Sequence, residues 1–317
     1  MARIVFMGSP AFAVPTLDAL AQDHEVLAVF TQPDRPAGRG RRLARVPVAT
    51  WAEEHGVPIN QPRSLRRDAA ALDGLEALRP DVIVVVAYGL ILPGTVLEVS
   101  QHGCLNVHAS LLPKYRGAAP IPAAILAGDD ETGVTIMRMD AGVDTGPVLA
   151  RAREPIRADD TTLSLGERLA RLGARLMVDT LPRYLRGDIT PVAQDDALAS
   201  PSPKIEKADG RIRWSQPAIY LDRMIRAYTP WPGAHTDWNG RQLKIVRAVP
   251  TGQMAAKTLQ PTGQVIQLDA GRVGVVAGDS VLELGEVQLA GKRAMPIEEF
   301  VRGHTGFIGS ILGFQDE

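Results

Sequence analysis

Val82-Ile83-Val84-Val85-Val86-Ala87 is the stretch that decides the fold. A nearly unbroken β-branched run, interrupted by Gly89 and stopped by Pro93, predicts a central parallel strand covered on both faces. It is far short of the roughly 20 residues a membrane-spanning helix needs. Upstream, residues 3–7 read as a short buried strand broken by Gly8-Ser9-Pro10, and Phe12, Val14, Leu17 and Leu20 recur at helical spacing. Residues 25–31 extend, 49–55 are helical, 57–60 extend and 69–78 are helical. Downstream, residues 105–108 make a strand and 120–126 a helix. Residues 134–139 and 148–151 are strands, and 163–185 form a long helix with Leu165, Leu169, Leu172, Leu176 and Leu181 among its apolar positions. Strands separated by helices predict an α/β domain with a doubly wound, mostly parallel sheet. Its ligands belong beyond the strand C-termini.

Beyond residue 187 both periods lapse, and Pro191, Pro201 and Pro203 punctuate a linker. After it, residues 242–248, 263–268, 272–276 and 281–287 are short strands between Gly, Asp and Asn turns, preceded by one helix at 218–228. That pattern predicts a smaller C-terminal β-barrel resembling an oligonucleotide-binding fold. The expected domains are residues 1–189, a linker at 190–206 and a second domain at 207–317.

Composition narrows the function. The 317 residues are 45% hydrophobic and 22% charged, enough to build real cores. A single cysteine, Cys104, excludes an intramolecular disulfide framework or a cysteine-rich zinc cluster and suits a reducing cytoplasm. No His-Glu-x-x-His or close ligand pair occurs, so no metal is expected. The N-terminus lacks a signal peptide, and membranes are not expected partners. A net charge of -1 provides no global field for nucleic acid, so such a partner needs a local patch. One candidate patch exists, because Arg35, Arg39, Arg41, Arg42 and Arg45 crowd a Gly- and Pro-laced segment. It reads as an exposed mobile loop suited to phosphates, or else as a solvated charge run.

The chemistry-bearing segment is Asn106-Val107-His108-Ala109-Ser110-Leu111-Leu112-Pro113-Lys114-Tyr115-Arg116-Gly117. Asn106 and His108 share one side of a strand near its C-terminal end. Asn can polarise a carbonyl, and His can take or give a proton near neutrality. The same residues also suit a turn-fixing Asn and a buried, hydrogen-bonded His. In Arg138-Met139-Asp140-Ala141-Gly142-Val143-Asp144, Asp140 reads as a turn residue bonding its own backbone. Asp144 reads either so or as the carboxylate that orients His108. Trp231 and Trp214 read as packed contacts.

These residues resemble the methionyl-tRNA formyltransferase family of 10-formyltetrahydrofolate-dependent formyltransferases. The likeness lies in residues 5–17, in Gln32-Pro33-Asp34-Arg35-Pro36-Ala37-Gly38-Arg39-Gly40, in the Tyr88–Pro93 turn, in the Asn106 and Asp140–Gly146 segments, and in Pro230-Trp231-Pro232-Gly233-Ala234. The resemblance implies a Rossmann-like catalytic domain with Asn106, His108 and Asp144 as catalytic trio. It implies folate contacts at Tyr88, Gly89, Leu90, Ile91, Leu92, Ser110, Leu111, Leu112, Pro113, Arg138, Met139 and Asp140. It also implies tRNA contacts at Arg35, Arg39, Arg41, Arg42 and Arg45, helped by the C-terminal domain. The implied donor is 10-formyltetrahydrofolate and the acceptor methionyl-initiator tRNA, in a monomeric cytoplasmic enzyme. Pro122-Ala123 departs from the family's usual Gln and larger residue, Tyr228 from its usual Phe, and the tail after Arg302 from any hallmark. The competing readings are a formyltransferase acting on a small amine such as an amino sugar nucleotide, a folate-domain hydrolase, and a non-catalytic RNA-binding module. A nicotinamide enzyme lacks its Gly-x-Gly-x-x-Gly turn.

Overall fold

The computed structural model describes residues 1–37, 42–251 and 260–313. The chain divides into two compact units: one of residues 1–120, 131–155 and 166–203, the other of residues 121–130, 156–165 and 204–317. The division is therefore discontinuous, unlike the single boundary expected from the sequence.

The first unit holds strands β1 (Arg3–Gly8), β2 (Glu25–Phe30), β3 (Arg35–Ala37), β4 (Arg42–Ala44), β5 (Ile59–Asn60), β6 (Val82–Val86), β7 (Cys104–His108), β8 (Arg116–Gly117), β9 (Glu131–Arg138), β10 (Val148–Pro155) and β11 (Pro201–Ser202). Helices α1 (Val14–Asp23), α2 (Pro47–Glu54), α3 (Ala69–Leu78) and α4 (Gly94–Leu97) fall between them, and α5 (Pro120–Ala127) and α6 (Thr162–Leu185) each cross a unit boundary. Seven strands form one sheet in the order β10-β9-β7-β6-β1-β2-β5. β6, β1, β2, β5 and β7 run parallel, while β9 is antiparallel to β7 and to β10. The predicted central strand is β6, buried at all its residues. In register, Gly8 pairs with Val86, Met7 with Phe30 and Val85 with Asn106, so the strand C-termini fall along one edge. Helix α6 can approach β7 closely because position 173 is glycine; a Cβ there would press on Val107.

Two expectations need correction in this unit. The segment read as an exposed mobile loop contains a two-stranded antiparallel ladder, β3 with β4. Arg39 and Arg41 lie outside the described residues, and Arg45 pairs with Asp34 at 2.8 Å and also with Glu53. The segment read as a linker is built into the sheet region. Val192 bridges Val148, residues 196–198 make a short 3-10 turn, and β11 pairs in parallel with β8.

The second unit contains α7 (Ala218–Ala227), β12 (His235–Trp238), β13 (Arg241–Pro250), β14 (Val265–Gln267), β15 (Val273–Val276), β16 (Val281–Leu289), β17 (Met295–Pro296) and α8 (Ile297–Gly303). Its antiparallel sheet runs β12-β13-β16-β15-β14, with β17 on β16. Register shifts between Ile245 and Ala248 bend β13 against β16, as bulges do. The result is a curled half-barrel, the open form of the expected barrel, since β12 and β14 are not paired with each other among the described residues. Leu243, Val275, Leu282, Val287, Phe300 and Phe307 lie in one core. β12 and α8 were not legible in the sequence. Trp214 is buried with its Nε1 donating to Thr236 Oγ1 at 3.1 Å. Trp231, expected to pack, is 57% exposed.

Candidate active site

The expected trio converges at the C-terminal end of β7. Side chains alternate along a strand, so Asn106 and His108 leave the same face. The Asp144 carboxylate joins them: its Oδ1 accepts from Asn106 Nδ2 at 3.3 Å, and its Oδ2 lies 3.5 Å from His108 Nδ1. Oδ2 also accepts from the Gly117 amide at 2.9 Å. His108 is buried, and its Nε2 lies 3.0 Å from the Tyr115 carbonyl. Both ring nitrogens therefore face acceptors, and the Tyr115 carbonyl fixes Nε2 as a donor. The amide of Asn106 is oriented too, because its oxygen would repel the carboxylate. One Nδ2 hydrogen serves Asp144 and the second remains for another acceptor.

The loop that carries Asp144 and the loop that follows β7 are held by their own polar bonds. Asp140 Oδ1 accepts from the Gly142 amide at 3.0 Å and from Thr145 Oγ1 at 2.7 Å, the turn role read from the sequence. Asp144 sits in the left-handed region at φ 52°, as does Tyr115 at φ 60°. Such backbone is uncommon outside glycine and clusters at functional sites. Gly117 has φ 129°, and a Cβ there would run into the Ser202 carbonyl. That close approach lets β8 and β11 pair beside the trio.

The residues expected to touch folate divide into two groups. Tyr88 packs with the partly buried Leu90, Leu92 and Met139 in one apolar cluster, so the Tyr88–Pro93 turn and the loop after β9 come together. Gly89 follows at φ 75°, and Ile91 is 89% exposed. Burial pushes the Tyr88 phenol well above its ordinary pKa, and its hydroxyl has no partner among the described residues. Arg138 is exposed. The second group faces inward. Ser110 is fully buried with its Oγ donating to the Lys114 carbonyl at 2.5 Å, and Leu112 packs with Met137 and Val148. Leu111 lies against Gly133, and Pro113 accepts through its carbonyl from the Ser200 amide at 3.3 Å. These contacts of the second group hold the loop.

Sequence reasoning missed Gln194, Ser200 and Ser202, which approach the trio from the supposed linker. Gln194 Nε2 donates to the carbonyls of Asp144 at 2.8 Å and Gly146 at 2.7 Å. A polar residue in an aperiodic segment carries no pattern that would have revealed this. Among the described residues no group of three or more His, Cys, Asp or Glu side chains can hold a metal ion. None of their helices is long and apolar enough to cross a membrane.

Residues 2–181 match the formyl transferase family model, and residues 204–305 match that of the formyl transferase C-terminal domain. Fold and site thus define a formyltransferase, an enzyme. The methionyl-tRNA formyltransferase of Magnetococcus marinus is 46% identical over 313 residues, covering 98% of this chain and 98% of that protein. Its counterpart from Acidiphilium cryptum is 47% identical over 312 residues, covering 98% and 100%. The chain belongs to the methionyl-tRNA formyltransferase family. Among solved structures, HypX from Aquifex aeolicus in complex with tetrahydrofolic acid superposes with a TM-score of 0.65 at 18% identity. That match covers 98% of this chain and 48% of HypX, so this chain spans about half of its length. The Helicobacter canadensis N-formyltransferase, solved with folinic acid and dTDP-3-aminofucose, gives a TM-score of 0.66 at 18% identity, covering 90% and 98%. At such identity the likeness is one of fold.

Proposed function

We propose that this chain transfers the formyl group of 10-formyltetrahydrofolate to the free α-amine of methionyl-initiator tRNA, giving formylmethionyl-tRNA and tetrahydrofolate for translation initiation. The observation that carries the reading is the single carboxylate, Asp144, that binds Asn106 and orients His108 at the end of a central strand. The partly buried Leu90, Leu92 and Met139, clustered with buried Tyr88, and the exposed Ile91 offer apolar surface of the kind that suits the flat ring system of a folate. The bound folate supplies an activated formyl carbon and, at N10, the leaving nitrogen.

The chain's own residues then have separate tasks. The free Nδ2 hydrogen of Asn106 donates to the formyl oxygen as negative charge develops there. One preorganised donor of this kind is worth about 2.7–4 kcal/mol of barrier. As the amine nitrogen bonds to the formyl carbon and the C–N10 bond breaks, one proton must pass from the amine to N10. With the Nε2 hydrogen held on the Tyr115 carbonyl, Nδ1 of the neutral His108 ring takes the proton from the amine and returns it to N10. Asp144 holds the ring in place and stabilises its charged form during the transfer.

For the acceptor, the β3–β4 segment includes Arg35 and Arg42, with Arg39 and Arg41 between them in sequence. Guanidinium groups in such a segment suit RNA phosphates. Arg45, committed to Asp34 and Glu53, supports that segment in this reading. The chain acts as a monomer in the cytoplasm.

The test is formyl transfer from 10-formyltetrahydrofolate to charged initiator tRNA, with charged elongator tRNA and a no-acceptor control. Acid-stable formylmethionine made chiefly on the initiator is expected. Transfer to small amines alone would assign another acceptor, and formate release without any acceptor would mean hydrolysis.

A further inference from the structure

Residues 190–203 form a strap that bonds to the loop after β7 and to the loop that carries Asp144. At its centre the Gln194 side chain is fully engaged. Nε2 donates to the Asp144 and Gly146 carbonyls, one on each side of Thr145, and Oε1 accepts from Arg116 Nε at 3.1 Å. Arg116 also reaches Asp196 Oδ1 at 2.7 Å. The amide has one stable orientation, since flipping it would set its oxygen against two carbonyls and its hydrogens against a guanidinium. Downstream, Ser202 Oγ donates to the Tyr115 carbonyl at 3.0 Å, the same oxygen that faces His108 Nε2, and the Tyr115 amide donates to Ser200 Oγ at 3.0 Å.

The backbone of Asp144 needs this support. It holds φ 52°, a left-handed conformation less favourable than ordinary backbone for a residue with a Cβ, so neighbouring bonds help to keep it there. Its carboxylate position is set by the Gly117 amide and Asn106, and its main chain by Gln194. Without the Gln194 bonds, two carbonyls would lose their shared donor and the loop could relax towards ordinary backbone. The carboxylate would then leave His108 Nδ1.

We propose that Gln194 is a positioning residue for formyl transfer: by binding the Asp144 and Gly146 carbonyls it keeps the Asp144 carboxylate on His108 and Asn106. The proposal rests on the formyl-transfer reading above. Two substitutions test it. Gln194→Glu keeps the side-chain length and the partner for Arg116 but removes both amide hydrogens. Gln194→Met removes all polarity while keeping most of the volume. Steady-state kinetics on the full chain, with both substrates varied, should show kcat reduced by about 10- to 100-fold in both variants, the scale on which a misplacement of about 1 Å costs rate. KM for both substrates should stay within about two-fold, because no ground-state contact is lost. The ring-nitrogen resonances of His108, read by NMR of histidine-labelled protein and assigned with His108→Gln, should shift in both variants.

Unchanged kcat and His108 resonances in a folded variant would overturn the proposal. So would a raised KM with kcat retained, which would make Gln194 a substrate contact. Unfolding of both variants would make it a residue of the fold and overturn the proposal equally. Absence of transfer by the wild type would reject the formyl-transfer reading, whereas the His108 resonances would still decide whether Gln194 positions the trio.

Discussion

The two sheets use their side chains in opposite ways. At the C-terminal edge of the parallel sheet, apolar strands give way to polar groups that bind one another. Ser9 Oγ accepts from the Gln32 amide at 3.0 Å, Gln32 Nε2 donates to the Tyr88 carbonyl at 2.9 Å, and Asp144 gathers Asn106, His108 and Gly117. In the half-barrel the convergence is apolar. Trp238, Phe300 and Phe307 meet edge to face with centroids 5.0–5.6 Å apart, and Trp238 Nε1 is buried without a hydrogen-bond partner among the described residues. A polar atom left so is tolerated where packing dominates, and it costs stability rather than chemistry. The first sheet places charge and the second stores stability. Substitutions should therefore separate the two: turnover lost without unfolding in one, stability lost without turnover in the other.

The largest effect belongs to Asp144→Ala. It removes the group that both orients His108 and binds Asn106, and the expected fall in kcat is about 10⁴-fold, as when the carboxylate behind a catalytic imidazole loses its function. The fold should survive, since the loss is one half-buried hydrogen-bonding group with a stability cost of about 1–3 kcal/mol. Calorimetry beside single-turnover kinetics checks both parts. Asn106→Ala follows at about 10²- to 10³-fold, the usual cost of one donor to a developing oxyanion. An effect of Asn106→Ala confined to KM would assign it to ground-state binding and weaken the mechanism.

Phe300→Ala probes the other side of the comparison. Truncating a core aromatic of this kind costs about 3–5 kcal/mol. Denaturant unfolding should register that loss, while kcat per folded molecule stays near the wild-type value at low temperature. A fall in kcat as deep as that of Asn106→Ala would break the separation. Arg42→Ala should act more gently. Salt dependence of tRNA use is a property of phosphate contacts, and losing one should lower the salt slope by about 1. Unaltered tRNA kinetics across the arginine variants would remove the segment from recognition.

How much of this was legible in the sequence follows the same division. The β-branched run at 82–86 and the helix at 69–78 are visible because burial on two faces or on one helical stripe leaves a period in the residues. Asn106 and His108 are visible because period-two alternation places them together. Asp144 stood as one of two readings, since a carboxylate in a Gly-containing loop serves a turn as readily as a site. Gln194, Ser200 and Ser202 left no trace. They act through single bonds to backbone atoms far away in sequence, such as Gln194 to Asp144, and a contact of that kind imposes no spacing on its neighbours. β12 escaped for another reason: His235-Thr236-Asp237-Trp238 is mostly polar in type, and only tertiary packing buries His235 and Thr236.

The smallest expected effect is also the sharpest test of whether the two units open separately. Cys104 is the only cysteine, lies on β7 two residues before Asn106, and is buried. Burial pushes its thiol up to about 12, with the charge of Arg138 opposing that shift. At pH 8 the native thiol is therefore protonated and shielded, and labelling by a disulfide reagent must wait for β7 to open. The exposed thiol recovers an ordinary pKa of about 8.5. Because the folded value is the higher one, the associated stability is complete below about pH 8.5 and is lost as pH rises towards about 12. Labelling should accelerate across that window. At pH 8, Phe300→Ala should leave the labelling rate unchanged if the parallel sheet opens by itself. Acceleration matching the full stability loss of that variant would show one cooperative unit, and the contrast between the sheets would then concern chemistry alone.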